Sequence, residues 1–356
     1  MKQPFSKTGV SKVVRSTMGA AANKVAGNDK LMSIAYDLMN ETNFGGIAAH
    51  EEMLSDSVRV DAYHQAIHRY VQPGDVVLDV GTGTGLLAFM AAKAGAAKVY
   101  AVEHSDFIEV AQELGAANGF TNIEFLQGNS RDLTMADLGG SEGGGVDVVL
   151  HEQMGDELFN ENMVENLIDV RDRLLAPGGR ILPSRFRLFA EPVSMAKTHR
   201  VHRIWETPLP DGLDFRVLRD SAVADRYMAS RPAQLWLRPG GVASTVGTPE
   251  PVLDFDLHAL NSIGDLVKTH RVERTATFDA LVDGVAVWFE AVFGGGTEAD
   301  ADDEVTLTTS PLAPLTSWGN RMFRAETGVR SGDTLSYFLH MDNLVDASTW
   351  QVGLET

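Results

Sequence analysis

A glycine-rich segment near residue 80 has the composition and spacing of a nucleotide-binding turn. It runs from an apolar stretch at 76–80 through Gly81, Gly83 and Gly85 into a second apolar stretch. Glycine adopts backbone conformations that other residues avoid and lets the chain approach a ligand closely. Glu103 stands 22 residues after Gly81, at the end of the next apolar run, where a carboxylate can accept both hydroxyls of a ribose. These residues predict a nucleoside-binding site.

Two ligand classes, and a tight turn without any ligand, compete for this segment. Dinucleotide enzymes use the spacing G-x-G-x-x-G, in which the last small residue begins the helix. Here the spacing is G-x-G-x-G, and Leu86 occupies the sixth position. S-adenosylmethionine carries a nucleoside but no pyrophosphate, and Glu103 argues against an empty turn. The spacing favours S-adenosylmethionine over a dinucleotide as the cofactor, with Asp79, the three glycines and Glu103 among its binding residues.

The glycine turn lies where short apolar strands alternate with helices. Strands are predicted at 76–80, 98–102, 123–126, 146–150 and 180–182, and helices at 57–71, 86–94, 107–118 and 163–175. Such alternation predicts a parallel sheet covered on both faces. A Rossmann-like domain is expected over 51–183. The preceding residues 1–50 are expected to be helical, because apolar residues around 31–39 follow the three-four spacing of one helix face.

After Pro183 the helical spacing fades. Short alternating strands are predicted at 188–193, 233–237, 252–257, 275–281, 285–293 and 305–308. Turn residues separate these runs, which is typical of an antiparallel β-barrel or sandwich. We therefore assign 184–356 to a β domain. A stretch at about 199–227 fits no strand register and is interpreted as an excursion from that domain.

Composition restricts the class of protein. The chain has 356 residues, 44% of them hydrophobic and none of them cysteine, which suits two folded domains without disulfides or thiolate metal sites. The formal net charge of −19 argues against nucleic-acid binding and is compatible with a cationic substrate or with simple solubility. No apolar run could span a membrane or serve as a signal-peptide core, so a cytoplasmic enzyme is expected. His64 and His68 lack an evident third ligand, so no metal site is predicted.

Five sequence blocks resemble the protein arginine methyltransferases. They are HEEML at 50–54 with Asp56 and Arg59, the glycine turn with Glu103, HEQMGDELFNE at 151–161, LLAPGGRILP at 174–183, and TSPLAPLTSW at 309–318 followed by Phe323. The resemblance is specific because the blocks recur in order across both predicted domains. It implies a Rossmann-like domain, then a β-barrel domain with a helical dimerisation arm at about 199–227, and hence a homodimer.

The resemblance also implies roles for individual residues. Arg59 matches the arginine that pairs with the methionine carboxylate of the cofactor, a contact suited to a guanidinium. Glu152 and Glu161 match two glutamates that bind the methyl acceptor in the family, and they are the expected catalytic residues. Two carboxylates at one point repel unless a cation or a shared proton lies between them. The other matched positions are Ser130 toward the cofactor, and Met53, His151, Met154 and Trp318 toward the acceptor.

The sequence departs from the family mainly at the acceptor end. Ser317 stands where the family has a histidine, so Asp56 is expected to lack that partner. The tyrosine-bearing motif before the HEEML block is absent, since 40–46 reads NETNFGG. Arg131 stands where an acid is usual near the adenine, which leaves the adenine contacts undefined.

These departures suggest a reshaped acceptor site beside a preserved cofactor site. We expect in-line transfer of the sulfonium methyl to a small nitrogen-containing metabolite, an indole type included, with protein arginine as the alternative. The protein would supply positioning and exclusion of water. A cofactor-binding scaffold without activity is the non-enzymatic alternative, and the intact Glu152 and Glu161 argue against it.

Overall fold

The computed structural model describes residues 46–140, 144–199, 210–215, 233–294 and 304–355. The helical segment predicted for 1–50 lies outside the described residues except for 46–50. Most of the arm predicted at 199–227 lies outside them too. Residues 1–51 and 52–356 form separate compact units. The sheets and the site belong to the second unit.

The first sheet is parallel and has five strands in the order β3-β2-β1-β4-β5. The strands are β1 (Val76–Val80), β2 (Lys98–Glu103), β3 (Ile123–Gln127), β4 (Val146–His151) and β5 (Leu175–Leu182). The helices are α1 (Ile47–Ser55), α2 (Ser57–Tyr70), α3 (Leu86–Ala94), α4 (Ile108–Ala117) and α5 (Met163–Leu174). The strand order reverses between β1 and β4, so a crevice is expected at the carboxyl ends of these strands.

The predicted elements of this sheet are confirmed within a residue or two, except for β5. That strand begins at Leu175 rather than at 180 because Leu175 pairs with Val146 before the register shifts. The residues between Leu175 and Arg180 form the irregularity in the pairing of β5 with β4. Buried apolar strands such as β1 and β4 fit a sheet that is covered on both faces.

The C-terminal half forms antiparallel sheets. Its strands are β6 (Arg185–Met195), β7 (Gln234–Leu237), β8 (Val242–Thr245), β9 (Leu253–Asp256), β10 (Thr269–Thr275), β11 (Ala280–Phe293), β12 (Val305–Thr308), β13 (Asn320–Val329), β14 (Thr334–Met341) and β15 (Trp350–Glu355). The larger sheet has the order β7-β13-β11-β6-β8, with β12 beside β11 and β9 beside β6, and the smaller one has the order β10-β14-β15.

The strand predicted at 275–281 is wrong, because a connection interrupts it. Strand β10 ends at Thr275 and β11 begins at Ala280. Between them, the Ala276 N–H donates to the carbonyl of Asp333 and the Thr277 N–H donates to that of Val246. These hydrogen bonds run to loops, so the ladder cannot continue. Strands β8, β13, β14 and β15 have no counterpart in the sequence prediction.

One hydrophobic core joins the parallel sheet to the antiparallel sheets. Leu150 and Leu182 from the first sheet and Phe186 and Phe289 from the second have no exposed surface and belong to the same cluster. Tyr63 of α2 is buried in that cluster as well. Through Tyr63, helix α2 contacts both kinds of sheet, at the His151 carbonyl of β4 and at the Phe293 ring of β11. No helix in the described part of the chain is long and apolar enough to span a membrane.

Candidate active site

The glycine turn has the backbone shape that its composition predicts. Gly81, Gly83 and Gly85 have φ of 75°, 52° and 85°, in the left-handed region that favours glycine. The N–H groups of Gly81 and Thr82 both donate to the carbonyl of Val102, at 2.9 Å. The turn therefore lies over the carboxyl end of β2, and helix α3 begins directly after Gly85.

Glu103 ends β2 beneath this turn. Its Oε2 accepts the Gly83 N–H at 3.1 Å, and its Oε1 accepts the N–H and the hydroxyl of Ser105 at 3.0 and 2.8 Å. A carboxylate offers about four acceptor positions. The half-buried Glu103 thus keeps acceptor capacity beside a turn that allows close approach. This arrangement fits the ribose of S-adenosylmethionine.

Asp79 supports the turn from below. The side chain has no exposed surface, and its Oδ2 accepts from the Thr82 hydroxyl at 2.5 Å and from the Ala88 N–H at 3.1 Å. Burial raises the pKa of Asp79 to about 7, although both hydrogen bonds act in the opposite direction. We therefore replace the predicted direct contact between Asp79 and the cofactor with a supporting role.

Arg59 lies in the first turn of α2 and faces the loop that follows β4. Its Nη1 is 3.2 Å from Oε2 of Glu152, and its guanidinium lies over the Trp318 ring, 5.7 Å from the centroid. Asp56 caps the helix by accepting the Arg59 N–H at 3.0 Å. The structure thus brings Arg59, Glu152 and Trp318 together.

The two predicted glutamates interact electrostatically. The pKa of Glu161 rises to about 8, first because of burial, and further because Glu152 and Asp156 carry negative charge nearby. Arg59 acts in the opposite direction without compensating the burial. Near neutral pH, Glu161 therefore holds a proton unless another cation enters. The arrangement can accept positive charge and N–H donors.

A loop between β12 and β13 covers this group of residues. The Trp318 Nε1–H donates to the Met154 carbonyl at 2.6 Å, and the Gly319 N–H donates to Oδ1 of Asp156 at 2.7 Å. Asp56 lacks a histidine partner, as the sequence predicts, but it has a different partner in this loop. Oδ2 of Asp56 accepts both the N–H and the hydroxyl of Ser317.

Comparison with known proteins identifies the relatives of this site. A family profile described as "Methyltransferase domain" matches residues 72–211. The chain is 31% identical over 326 residues to protein arginine N-methyltransferase PRMT10 of Oryza sativa subsp. japonica, with 85% of this chain and 83% of that relative covered. The chain belongs to the protein arginine methyltransferase family. It is an S-adenosylmethionine-dependent methyltransferase.

Solved structures agree with this membership. The crystal structure of Arabidopsis thaliana protein arginine methyltransferase 10 has a TM-score of 0.65 and 30% identity, over 83% of this chain and 88% of that one. The Trypanosoma brucei PRMT1 enzyme-prozyme heterotetrameric complex with AdoHcy has a TM-score of 0.67 and 26% identity, over 84% and 89%. They confirm the Rossmann-like and β-barrel architecture. The comparisons favour the protein arginine alternative and do not support the small-metabolite acceptor.

Two predicted residues, His151 and Met154, lie differently from the family-based expectation. His151 is fully buried, and its Nε2–H donates to the Pro183 carbonyl at 2.8 Å. Burial lowers the pKa of His151 to about 4, so the ring is neutral. Because the His151 side chain has no exposed surface, it does not contact the methyl acceptor, and the prediction that it binds the acceptor is wrong. The Met154 side chain is buried, with 2% of the residue exposed, and its carbonyl accepts the hydrogen bond from Trp318. The Ser130 carbonyl accepts from Arg173 at 2.9 Å.

Two site residues were missed by the sequence prediction. Tyr63 donates its hydroxyl to the His151 carbonyl at 2.8 Å, and its position one helical turn after Arg59 could have indicated it. Gln153 lies beside Gly81 and accepts from the amide of Asn166 at 3.3 Å. No local pattern marks that contact. Within the described ranges, no group of three or more acidic or histidine side chains could hold a metal ion.

Proposed function

We propose that this protein transfers a methyl group from S-adenosylmethionine to an arginine side chain of a protein substrate. One observation carries the proposal. Burial raises the pKa of Glu161 to about 8, and the negative charge of the neighbouring Glu152 raises it further, so the site favours a cationic ligand. A guanidinium stays charged at every working pH and donates several N–H bonds in one plane. The names of the relatives support the same acceptor.

Binding of a guanidinium would change the protonation of the pair. Its positive charge lowers the pKa of Glu161, so the carboxyl releases its proton as the acceptor enters. Glu152 and Glu161 then accept N–H bonds and turn one nitrogen toward the methyl. An N–C bond would form as the S–C bond breaks, the S–C bonding electrons would stay on sulfur in the leaving S-adenosylhomocysteine, and the nitrogen would give up one proton. A glutamate oxygen within hydrogen-bond reach takes that proton.

The cofactor would occupy the carboxyl edge of the first sheet. S-adenosylmethionine supplies an electrophilic methyl on a sulfonium. We assign its ribose to Glu103, its backbone approach to Gly81, Gly83 and Gly85, and its carboxylate to Arg59. Arg59 already contacts Glu152, so one guanidinium would touch both the cofactor side and the acceptor side. Ser130 is proposed near the adenine and Met53 near the acceptor.

A labelled-methyl assay tests the acceptor. The substrates are an arginine-containing peptide, the same peptide with lysine in place of arginine, and a mixture of small nitrogen metabolites that includes indole. We expect label in the arginine peptide alone, on the side chain by mass spectrometry. Label in a small metabolite with none in the arginine peptide would overturn the proposal.

We further propose a two-domain division at 183/184 and a two-fold dimer formed by the 199–227 arm. Among the arm residues that are described, Leu213 and Phe215 are 55% and 38% exposed. Apolar surface of this kind is covered when a partner binds. Light scattering at micromolar concentration should give the mass of two chains. Replacing Leu213 and Phe215 together by Glu should give one chain, and a monomeric wild type would contradict the proposal.

A further inference from the structure

Asp56 joins helix α2 to a loop that is distant in the sequence. The carboxylate is buried and accepts three hydrogen bonds. Oδ1 accepts the Arg59 N–H at 3.0 Å, while Oδ2 accepts the N–H and the hydroxyl of Ser317 at 2.7 and 3.0 Å. Ser317 is 261 residues away along the chain. One carboxylate therefore fixes the first turn of α2 to the loop between β12 and β13.

The two residues after Ser317 bond the loop that carries Glu152, the ion-pair partner of Arg59. Trp318 donates to the Met154 carbonyl at 2.6 Å, and Gly319 donates to Asp156 at 2.7 Å. The guanidinium of Arg59 lies over the Trp318 ring, 5.7 Å from its centroid. Three consecutive loop residues thus bind both the helix that carries Arg59 and the loop that carries its ion-pair partner.

We propose that Ser317 is a positioning residue for Arg59 and, through it, for the carboxylate end of the cofactor. This inference rests on the proposed contact between Arg59 and the cofactor carboxylate. The hydroxyl and the N–H of Ser317 hold one oxygen of Asp56, and the other oxygen holds the first turn of α2. Without the hydroxyl, the cap and Arg59 gain freedom to move relative to Glu152. Serine thereby fills the position that the resemblance gives to a histidine.

Two ligands separate positioning of Arg59 from a general defect. S-adenosylhomocysteine has the amino-acid carboxylate, and 5′-methylthioadenosine has the same nucleoside without it. In calorimetry, we expect Ser317→Ala to weaken S-adenosylhomocysteine about tenfold, the size of one hydrogen bond to a charged group. Affinity for methylthioadenosine should change less than about twofold.

Matched variants sharpen the comparison. Asp56→Ser keeps a good helix cap but is too short to reach Ser317, so it should behave like Ser317→Ala. Ser317→Thr retains the hydroxyl and should retain wild-type affinity. Asp346→Ser is the control, because Asp346 caps a short helix elsewhere by accepting from Ser348 at 3.0 Å. It should leave both affinities unchanged.

Arg59→Ala separates the two proposals. It should weaken S-adenosylhomocysteine selectively. If it does not, the proposed carboxylate contact is wrong, and the positioning role that depends on it falls as well. Suppose that Arg59→Ala weakens only S-adenosylhomocysteine. If the folded Ser317→Ala and Asp56→Ser variants then bind both ligands like the wild type, or bind both more weakly by the same factor, only the positioning role is overturned. Melting curves identify any variant that fails to fold. If Asp56→Ser does not fold, the affinities of Ser317→Ala alone decide whether Ser317 positions Arg59.

Discussion

The cofactor side and the acceptor side of the site are built by contacts of very different sequence range. Around the glycine turn, Asp79 bonds residues 3 and 9 positions away, and Glu103 bonds one 20 positions away. On the acceptor side, Trp318 bonds a residue 164 positions away and Asp56 one 261 positions away. A local motif can thus specify the first side. The second exists only after the two kinds of sheet pack together.

The largest expected effect tests the acceptor side. Glu152→Gln or Glu161→Gln keeps the shape but removes a charge, so charge-assisted bonds to the acceptor and the proton acceptor are lost. Turnover should fall about 10²-fold or more. In Glu161→Gln, which leaves the ion pair between Arg59 and Glu152 in place, the affinity for S-adenosylmethionine should be nearly unchanged. Glu113→Gln, an exposed position on α4, serves as the control. Wild-type rates from both site variants would remove these glutamates from the reaction.

The next effect tests the cofactor side. Glu103→Ala removes a carboxylate from the proposed ribose contact, at about 1.5–3 kcal/mol per hydrogen bond. Calorimetry should show weaker S-adenosylmethionine binding, while the acceptor KM at saturating cofactor changes little. Glu103→Gln isolates the charge from the shape. Unchanged affinity in the alanine variant would contradict the ribose assignment, and binding of NAD instead of S-adenosylmethionine would contradict the cofactor.

A pH titration separates the two sides further. Because the pKa of Glu161 is about 8 in the site without a cation, binding an arginine peptide releases a proton below that pH. Peptide affinity should rise with pH toward 8, by at most about tenfold per pH unit, and then level off. In Glu161→Gln this dependence should vanish. Cofactor affinity in the absence of peptide should not follow the same curve.

The same shift has a consequence for stability, with a definite sign. A raised pKa means that the contribution of Glu161 to stability is full below about 4.5 and is lost as the pH rises through about 8. The peptide-free protein should therefore lose stability over this window relative to Glu161→Gln. Melting temperatures of the two proteins at several pH values check the sign, and parallel curves would contradict it.

The smallest expected effect concerns the support beneath the glycine turn. Thr82→Val removes the hydroxyl that donates to buried Asp79 at 2.5 Å. Stability should fall by about 1–3 kcal/mol, the cost of a buried group that loses its partner. Thr134→Val is the matched control, because its hydroxyl donates to exposed Asp137 at 2.6 Å. Urea unfolding should show a change below about 0.5 kcal/mol there.

The predicted elements follow the same division. In the parallel sheet, the apolar runs and the helical spacing of the sequence predicted the bounds of β1, α3 and α5 to within a residue. In the antiparallel half, the strand at 275–281 was wrong, and β8 and β13 to β15 were missed. Their short alternating runs acquire a definite register only from partners far away in the chain.

From residue type and short spacing, the sequence alone predicted the glycine turn and the carboxylate at the end of β2, and the family resemblance added the paired glutamates. Tertiary structure decided the rest. It turned His151 inward to the Pro183 carbonyl, placed Asp79 under the turn, and gave Asp56 a partner in Ser317. Burial depends on what packs around a side chain and long-range hydrogen bonds depend on where a loop lies, and neither is encoded in local spacing.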